Sequence, residues 1–363
     1  ADTTSVIKDI VIPLLRPTML IIALLTFVRS LADFTTPAII GGNFNTMATE
    51  AYLSMVAYGD ITRASVINVV LFIPALFVFI IYRKNIQNTN MNEANELEED
   101  ILSKNGILYQ IVKYISLIFI FFIIIQYSSI FISAFTKKRM GISYFTLKNF
   151  IETKAYISKT FMRSIVYSLI SGICGALLGI LIGYYLEIRK LRFMDFIDLV
   201  ATMPYVIPGS FFGIGYILAF KGAPFFLTGT ATIVVLNVLF KQLPFSSKIG
   251  IEAANQISYE TINSVKDLGG TDFDVLKDVV LPMSKNNLFI SFANSFTATM
   301  TTVGSIIFLV YPGQKVATLV MFDVIQSGKY NVGSVIAILI ILITMTVNIL
   351  FYKVLIRREV NVS

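Results

Sequence analysis

Apolar residues along this chain gather into long unbroken runs, not into the alternation of a half-buried strand or the one-sided stripe of a soluble helix. A helical run of roughly 20 apolar residues matches the thickness of a bilayer core. Eight runs approach that length, at about Thr18–Asp33, Ile61–Tyr82, Tyr109–Phe135, Phe161–Leu186, Phe196–Phe220, Thr230–Leu243, Leu288–Val310 and Val332–Leu355. The polar stretch Arg83–Gly106 contains Glu93, Glu96, Glu98, Glu99 and Asp100. It separates the first two runs from the other six and reads as a solvated linker. The expected class is an all-α polytopic membrane protein.

Composition agrees. The chain is 56% hydrophobic and 14% charged, too few charges for a soluble domain of this size. The net charge of +7 is not gathered into a basic run interleaved with aromatics, so nucleic acid is not an expected partner. The single cysteine, Cys174, allows no internal disulfide and is expected to be a small buried residue. No histidine is present, which removes the commonest metal ligand and proton shuttle, and no cofactor or metal is expected.

The chain repeats itself. VIKDIVIP at Val6–Pro13 returns as VLKDVVLP at Val275–Pro282, an offset of 269 residues. At the same offset Met47-Ala48-Thr49 answers Val316-Ala317-Thr318, Gly59 answers Gly328, and Lys84 answers Lys353. Duplicated halves in a membrane protein pack around a shared pathway. The expected units are residues 1–84 (the C-terminal part of a first repeat), 85–106 (linker) and 107–363 (a second repeat). The second octapeptide follows a long hydrophobic lead-in and the first has none, so the first repeat reads as truncated, lacking about four helices.

Basic residues set the orientation. Arg189, Lys190, Arg192, Lys353, Arg357 and Arg358 fall on the side shared by both octapeptides, which is expected to be cytoplasmic together with both chain ends. One segment opposes this: Phe135–Arg163, expected outside, carries seven Lys or Arg against three in Arg83–Gly106.

The second octapeptide belongs to a local unit with its own logic. Ser258 can cap a short helix that ends at Leu268, and Gly269 and Gly270 permit the left-handed turn that stops it. Thr271, with Asp274 three residues on, can open a second short helix. Phe273, Leu276, Val279 and Val280 are expected to face the bilayer surface. Asn263, Lys266 and Asp267 are expected to point away from it. Pro282 is expected to break this helix where the next span begins.

This elbow, at about 245–283, resembles the EAA loop of ABC importer permeases, whose pattern runs Glu-Ala-Ala, three residues, Gly, nine residues, Ile, one residue, Leu-Pro. Gly269, Val279, Leu281 and Pro282 fit the Gly, Ile, Leu and Pro positions. In the first copy Ile10, Ile12 and Pro13 fit, beside Lys8 and Asp9. Asn263, Ser264 and Val265 stand where the family has Glu-Ala-Ala. The literal Glu252-Ala253-Ala254 lies too far upstream and is read as chance. Glu260, one turn before Asn263, is the candidate substitute for the family's glutamate. FTLKNF at Phe145–Phe150, MPYVIPGSFFGIGYIL at Met203–Leu218, LTGT at Leu227–Thr230 and LPF at Leu243–Phe245 follow in the family's order. SLADFTTPAIIGGNFNTMATEAYL at Ser30–Leu53 is most similar to the fused, double-length permeases of iron(III) importers.

The resemblance implies a type I ABC importer transmembrane fold in the inner membrane. It also implies an extracytoplasmic solute-binding protein and a cytoplasmic ATPase dimer that grips the elbow through Glu260, Asn263, Ser264, Val265, Lys266, Asp267, Leu268, Gly269 and Gly270. Iron(III) is the expected substrate, with phosphonate, polyamine or thiamine as alternatives. The chain has no G-x-x-x-x-G-K-[ST] loop, so ATP hydrolysis is assigned to a separate subunit. An ion-coupled secondary transporter would need coupling charges at mid-membrane, where the spans look nearly free of them. A membrane enzyme would need a clustered acid, base or metal set, which is not visible.

Candidate pathway residues are Pro204 and Pro208-Gly209, which interrupt one span, and Asp33 with its repeat partner Thr302 near the outer end. Gly175, Gly179 and Gly183 have the spacing of close helix packing. Asp195 and Asp198 sit at a helix start, where the helix dipole favours acids.

Overall fold

The computed structural model describes residues 8, 9, 12–87, 107–139, 141–157, 159–311 and 313–359, and Ile10 and most of the linker lie outside them. The chain is almost wholly helical. The first repeat supplies α1 (Ile12–Ala32), α2 (Thr35–Ile40), α3 (Met47–Val56) and α4 (Ile61–Gln87). After the linker come α5 (Ile107–Phe135), a hairpin of β1 (Thr136–Arg139) and β2 (Ile142–Phe145), α6 (Lys148–Ile157) and α7 (Thr160–Gly183). Then follow α8 (Met194–Thr202), α9 (Gly209–Phe220), α10 (Ala231–Asn255), α11 (Tyr259–Asp267) and α12 (Asp272–Asp274). The chain closes with α13 (Leu281–Met283), α14 (Lys285–Thr301), α15 (Ala317–Gln326) and α16 (Tyr330–Glu359).

The centre is a bundle of α7, α10 and α14, and small residues make it possible. A Cβ on Gly179 would run into the Ser246 carbonyl, and one on Gly183 into the Gly250 carbonyl. The two backbones touch, as small-residue stripes allow in a membrane where apolar burial alone gives helices little reason to associate. Ser246 and Ser295 share a hydrogen bond at 3.2 Å in the same contact. Cys174 on α7 is half-buried rather than buried, because it falls beside the glycine stripe and not within it.

The repeat register reappears as geometry. Gly59, between α3 and α4, and Gly328, between α15 and α16, both adopt positive φ, at 67° and 80°. Only glycine takes that conformation without strain, so both copies turn at the same position. The copies differ in how the leading helix is capped. Thr46 accepts from the Thr49 N–H at 3.3 Å in the first. In the second, Val316 has no cap oxygen, and Ser164 of α7 accepts from the Ala317 N–H at 2.8 Å instead.

The first repeat is fastened to the second through polar and aromatic contacts. Ser210 of α9 donates to Asn68 of α4 at 2.7 Å, both side chains buried. Phe72 and Phe211 stack beside them at 5.2 Å. Phe34 and Tyr52 also meet Phe322 of α15 edge-on.

Several expected spans are corrected. Among the described residues four helices are long and apolar enough to cross a membrane, Ile61–Tyr82, Tyr109–Phe135, Thr160–Ile188 and Tyr330–Lys353, or five if a bent pair counts as one span. The run Phe196–Phe220 is not one straight helix but a pair bent by 117°, where Pro204 and Pro208 both deny backbone donors. The run Leu288–Val310 stops being helical after Thr301, where Thr302 turns extended (ψ 139°) and residues 304–309 fold into turns. A Cβ on Gly209 would lie 3.1 Å from the Gly304 carbonyl carbon, so α9 packs on that irregular stretch at two facing glycines. The run Thr230–Leu243 is part of a longer helix that continues to Asn255. The basic stretch after Phe135, read as loop, holds the β-hairpin, with Thr136 opposite Phe145 and Arg139 opposite Ile142. Asn331 of α16 donates to the Ser133 and Thr136 carbonyls at 2.7 and 2.6 Å. That ties the hairpin to the Tyr311–Asn331 end of the molecule. The elbow lies at the other end of α7, about 36 Å away at 1.5 Å per residue.

Candidate functional site

The elbow is built from local hydrogen bonds. Ser258 accepts from the Thr261 N–H at 3.3 Å and opens α11. At the far end Gly269 donates to Lys266 O and Gly270 to Val265 O, both at 2.9 Å. This pair is a Schellman motif, and it satisfies two carbonyls that a helix end leaves free. Gly269 carries the positive φ (84°). Gly270 does not, which corrects its expected role: it is needed because a Cβ there would strike Val265.

Thr271 and Asp274 then form a complete capping box. The Thr271 N–H and hydroxyl donate to Asp274 Oδ2 at 2.7 and 2.6 Å, and the Asp274 N–H donates to Thr271 Oγ1 at 3.4 Å. These bonds hold the Asp274 carboxyl below its ordinary pKa of 3.8. The helix does not end at Pro282. It runs through a π-helical stretch, Val275–Val280, into α13 and breaks at Ser284. Pro282 lies in the first turn of α13, where a missing N–H is tolerated.

The apolar face of the elbow is turned inward. Ile262, Val275, Val279 and Val280 pack on Ile180, Tyr184, Ala253 and Ile257, which corrects the expectation that Val279 and Val280 meet the bilayer. Leu276 and Leu281 pack at the edge of that cluster. Ala253 and Ala254, part of the literal Glu-Ala-Ala, are buried in α10 and not on the elbow surface. The outer face carries Glu260, Asn263, Ser264, Lys266, Asp267, Leu268 and Gly269, all exposed, with Val265 and Gly270 half-buried and Pro282 exposed. Leu268 is 89% exposed and Phe273 68%, an apolar pair amid charged neighbours.

A brace from the end of α7 holds the elbow in place. Tyr184 Oη donates to the Asp272 carbonyl at 2.9 Å. The Arg189 guanidinium pairs with the Asp272 carboxylate, and Lys266 Nζ approaches it at 3.8 Å. Lys190, itself at positive φ (49°), lies 5.3 Å from the Tyr259 ring. In the first copy Lys8, Asp9, Ile12 and Pro13 are exposed, and Ile10 is outside the described residues.

The second assembly is a cavity of about 750 Å³ between the repeats. Thr26, Arg29 and Ser30 line it from α1 and Asp33 from just beyond it, Pro204, Tyr205, Ile207 and Gly209 from the broken helix, and Lys241 and Gln242 from α10. Of the expected pathway residues, Asp33, Pro204 and Gly209 come together here. Pro208 is buried behind the wall, and Thr302 is not in the lining. Asp33 accepts from the Thr35 N–H at 3.0 Å, the Thr35 hydroxyl at 2.7 Å and the Thr36 N–H at 3.2 Å, so it also closes the start of α2.

Lys241 and Arg29, both in this lining, were not among the residues singled out from the sequence. Pro208 has no N–H to offer the Pro204 carbonyl four residues back. Lys241 Nζ donates to that oxygen at 2.6 Å and to the Ile207 carbonyl at 2.6 Å. Arg29 donates to Tyr205 Oη at 3.3 Å and sits 5.5 Å from the Tyr205 ring. Their placement inside apolar runs was the signal that could have found them. Asp195 lies in the first turn of α8, as expected, whereas Asp198 pairs with Lys248 of α10 at 2.9 Å.

Comparison with known proteins places this architecture. The profile of the family described as binding-protein-dependent transport system inner membrane component matches residues 175–359, which takes in the glycine stripe, the broken helix and the elbow. The chain belongs to this family of ABC importer inner-membrane permeases. A ferric transport system permease protein of Actinobacillus pleuropneumoniae is 28% identical over 97% of this chain and 52% of its own length. A putative ferric transport system permease protein of Haemophilus influenzae is 30% identical, over 85% and 50%. The chain thus spans about half the length of these curated relatives. A putative 2-aminoethylphosphonate transport system permease protein of Salmonella typhi is 26% identical over 63% of this chain and 89% of its own length. Among solved structures, a bacterial ABC transporter involved in import of the acidic polysaccharide alginate matches with a TM-score of 0.51 at 16% identity, covering 68% of this permease and 95% of that chain. The match shows a shared fold. The relatives are transport permeases and not enzymes.

Proposed function

We propose that this permease forms the solute path of a binding-protein-dependent importer and couples that path to a cytoplasmic ATPase dimer through its elbow. The observation that carries this reading is the elbow itself: a rigid, doubly capped turn, braced from behind and presenting Leu268 and Phe273 within a polar rim. Such an apolar anchor in a polar surround suits docking to a folded partner. The elbow end, with Arg189, Lys190, Arg192 and both chain ends, then faces the cytoplasm, and the hairpin end faces the binding protein. Residues 1–84 and 107–363 act as two halves around one path, joined by the linker 85–106.

Iron(III) is the proposed cargo, supported by the ferric relatives that span nearly the whole chain. A phosphonate is the second reading, favoured by the relative that this chain covers over most of that protein's length. Uptake of radiolabelled iron and of 2-aminoethylphosphonate, driven by ATP in cells carrying the whole system, tests both. Gly269→Val is expected to leave membrane insertion intact while ATPase co-purification and uptake fail. Normal uptake by that variant sinks the docking role.

A further inference from the structure

We infer that the cavity between the repeats is an oxyanion site, with Arg29 and Lys241 as its cationic contacts. The argument rests on how those two charges are held. Lys241 is held by two backbone carbonyls, Pro204 and Ile207, with its Nζ 5.6 Å from the Phe212 ring, and Arg29 by the Tyr205 hydroxyl and ring. None of these partners is an anion, so neither positive charge is neutralised by the group that positions it. An ammonium has three N–H donors and a guanidinium five. Lys241 thus keeps one donor, and Arg29 most of its fork, for a third group. Among the described lining residues the one carboxylate, Asp33, already accepts three bonds from Thr35 and Thr36. Thr26, Ser30 and Gln242 add neutral polar groups to the same wall.

The lining is correspondingly poor for a bare metal cation. Among the described residues no group of three or more His, Cys, Asp or Glu side chains is placed to hold a metal ion. The Arg29 guanidinium, which stays protonated, repels a trivalent cation. This inference deepens the proposed function and rests on the cavity being part of the solute path. The solute then crosses as an anion, either a free oxyanion or an iron chelate whose ligands leave it net negative.

The test is calorimetric titration of the purified full-length permease in detergent with methylphosphonate, with ferric citrate and with methylguanidinium chloride as a cationic control. Saturable binding of an anion and none of the control is expected. Arg29→Gln is expected to weaken it by about tenfold, the scale of one charge-assisted contact. Arg29 is exposed and its contacts are the Tyr205 hydroxyl and ring, so a folded variant is expected, checked by circular dichroism and thermal midpoint. Arg29→Lys, which keeps the charge but loses the fork, should bind more tightly than Arg29→Gln and more weakly than the native protein. Binding of neither anion, or binding that Arg29→Gln leaves unchanged, overturns the inference. Repeating the titration in nanodiscs with and without phosphatidylglycerol separates sources. Competition by that lipid supports the oxyanion chemistry and identifies a headgroup as its occupant. ATP-driven uptake without anion binding overturns this inference and spares the permease reading, while anion binding without any ATP-driven uptake does the reverse.

Discussion

In the elbow, the hydrogen bonds that fix the turn join residues three to five positions apart: Thr271 with Asp274, Gly269 with Lys266, Gly270 with Val265. In the cavity, the bonds that fix the wall join residues 34, 37 and 176 positions apart. The elbow could take much of its shape before the rest of the chain folds. The cavity exists only once α1, the broken helix and α10 are assembled. On the proposed function the elbow is a coupling piece that keeps its shape while pushed, and the cavity a path whose walls belong to elements that can move apart.

That contrast can be broken most decisively at the bundle centre. Gly183→Val is expected to lower the thermal midpoint severely, because the new side chain meets the Gly250 backbone, which cannot yield as a flexible side chain can. Overpacking of this kind costs about 1–3 kcal/mol and more where a backbone must shift. A variant that folds with a normal midpoint would show that α7 and α10 are not in backbone contact. Next in size is Gly269→Val, expected to cost about 1–3 kcal/mol of local strain at a left-handed position. Its effect should stay local, with proteolysis increased at the elbow and the global midpoint nearly unchanged. A global loss comparable with Gly183→Val would erase the distinction between the two regions.

Thr271→Ala sharpens the comparison further. It removes one half of the capping box and is expected to cost about 1 kcal/mol, read as faster amide exchange over residues 271–276. Unchanged exchange would mean that the Tyr184 and Arg189 brace, not the cap, holds the second elbow helix. The smallest effect is with pH. Asp274 has its pKa lowered in the folded protein, so its contribution is fully present above its unfolded value of 3.8 and fades as pH falls through the lower folded value. Exchange at the elbow should therefore be flat from neutral pH down to about 4 after correction for intrinsic rates, and rise only below that. A rise near pH 6 would assign the change to another group.

The sequence made the elbow legible because its signals are local. Ser258, Gly269, Thr271 and Asp274 each act within one turn of where they stand, and the structure uses all four as caps or turn residues. The glycine stripe of α7 was legible for a similar reason, since a four-residue spacing fixes one helix face. The β-hairpin was not: strands of four residues, one of them Thr-Lys-Lys-Arg, carry too little apolar alternation to read. The facing of Val279 and Val280 was also misread. An apolar stripe states that it will be buried, and periodicity cannot say whether lipid or protein buries it.

By itself, the sequence determined the class, the duplicated register and the turn chemistry, because each follows from runs, repeats and caps within a few residues. Tertiary structure alone decided that Pro204 and Pro208 produce a bend of 117° and not a mild kink. It also decided that Lys241 answers the carbonyls freed there, and that Arg29 from the other repeat faces the same space. Those outcomes depend on which helices meet, and a freed carbonyl is stable in a membrane only where some distant donor arrives to satisfy it.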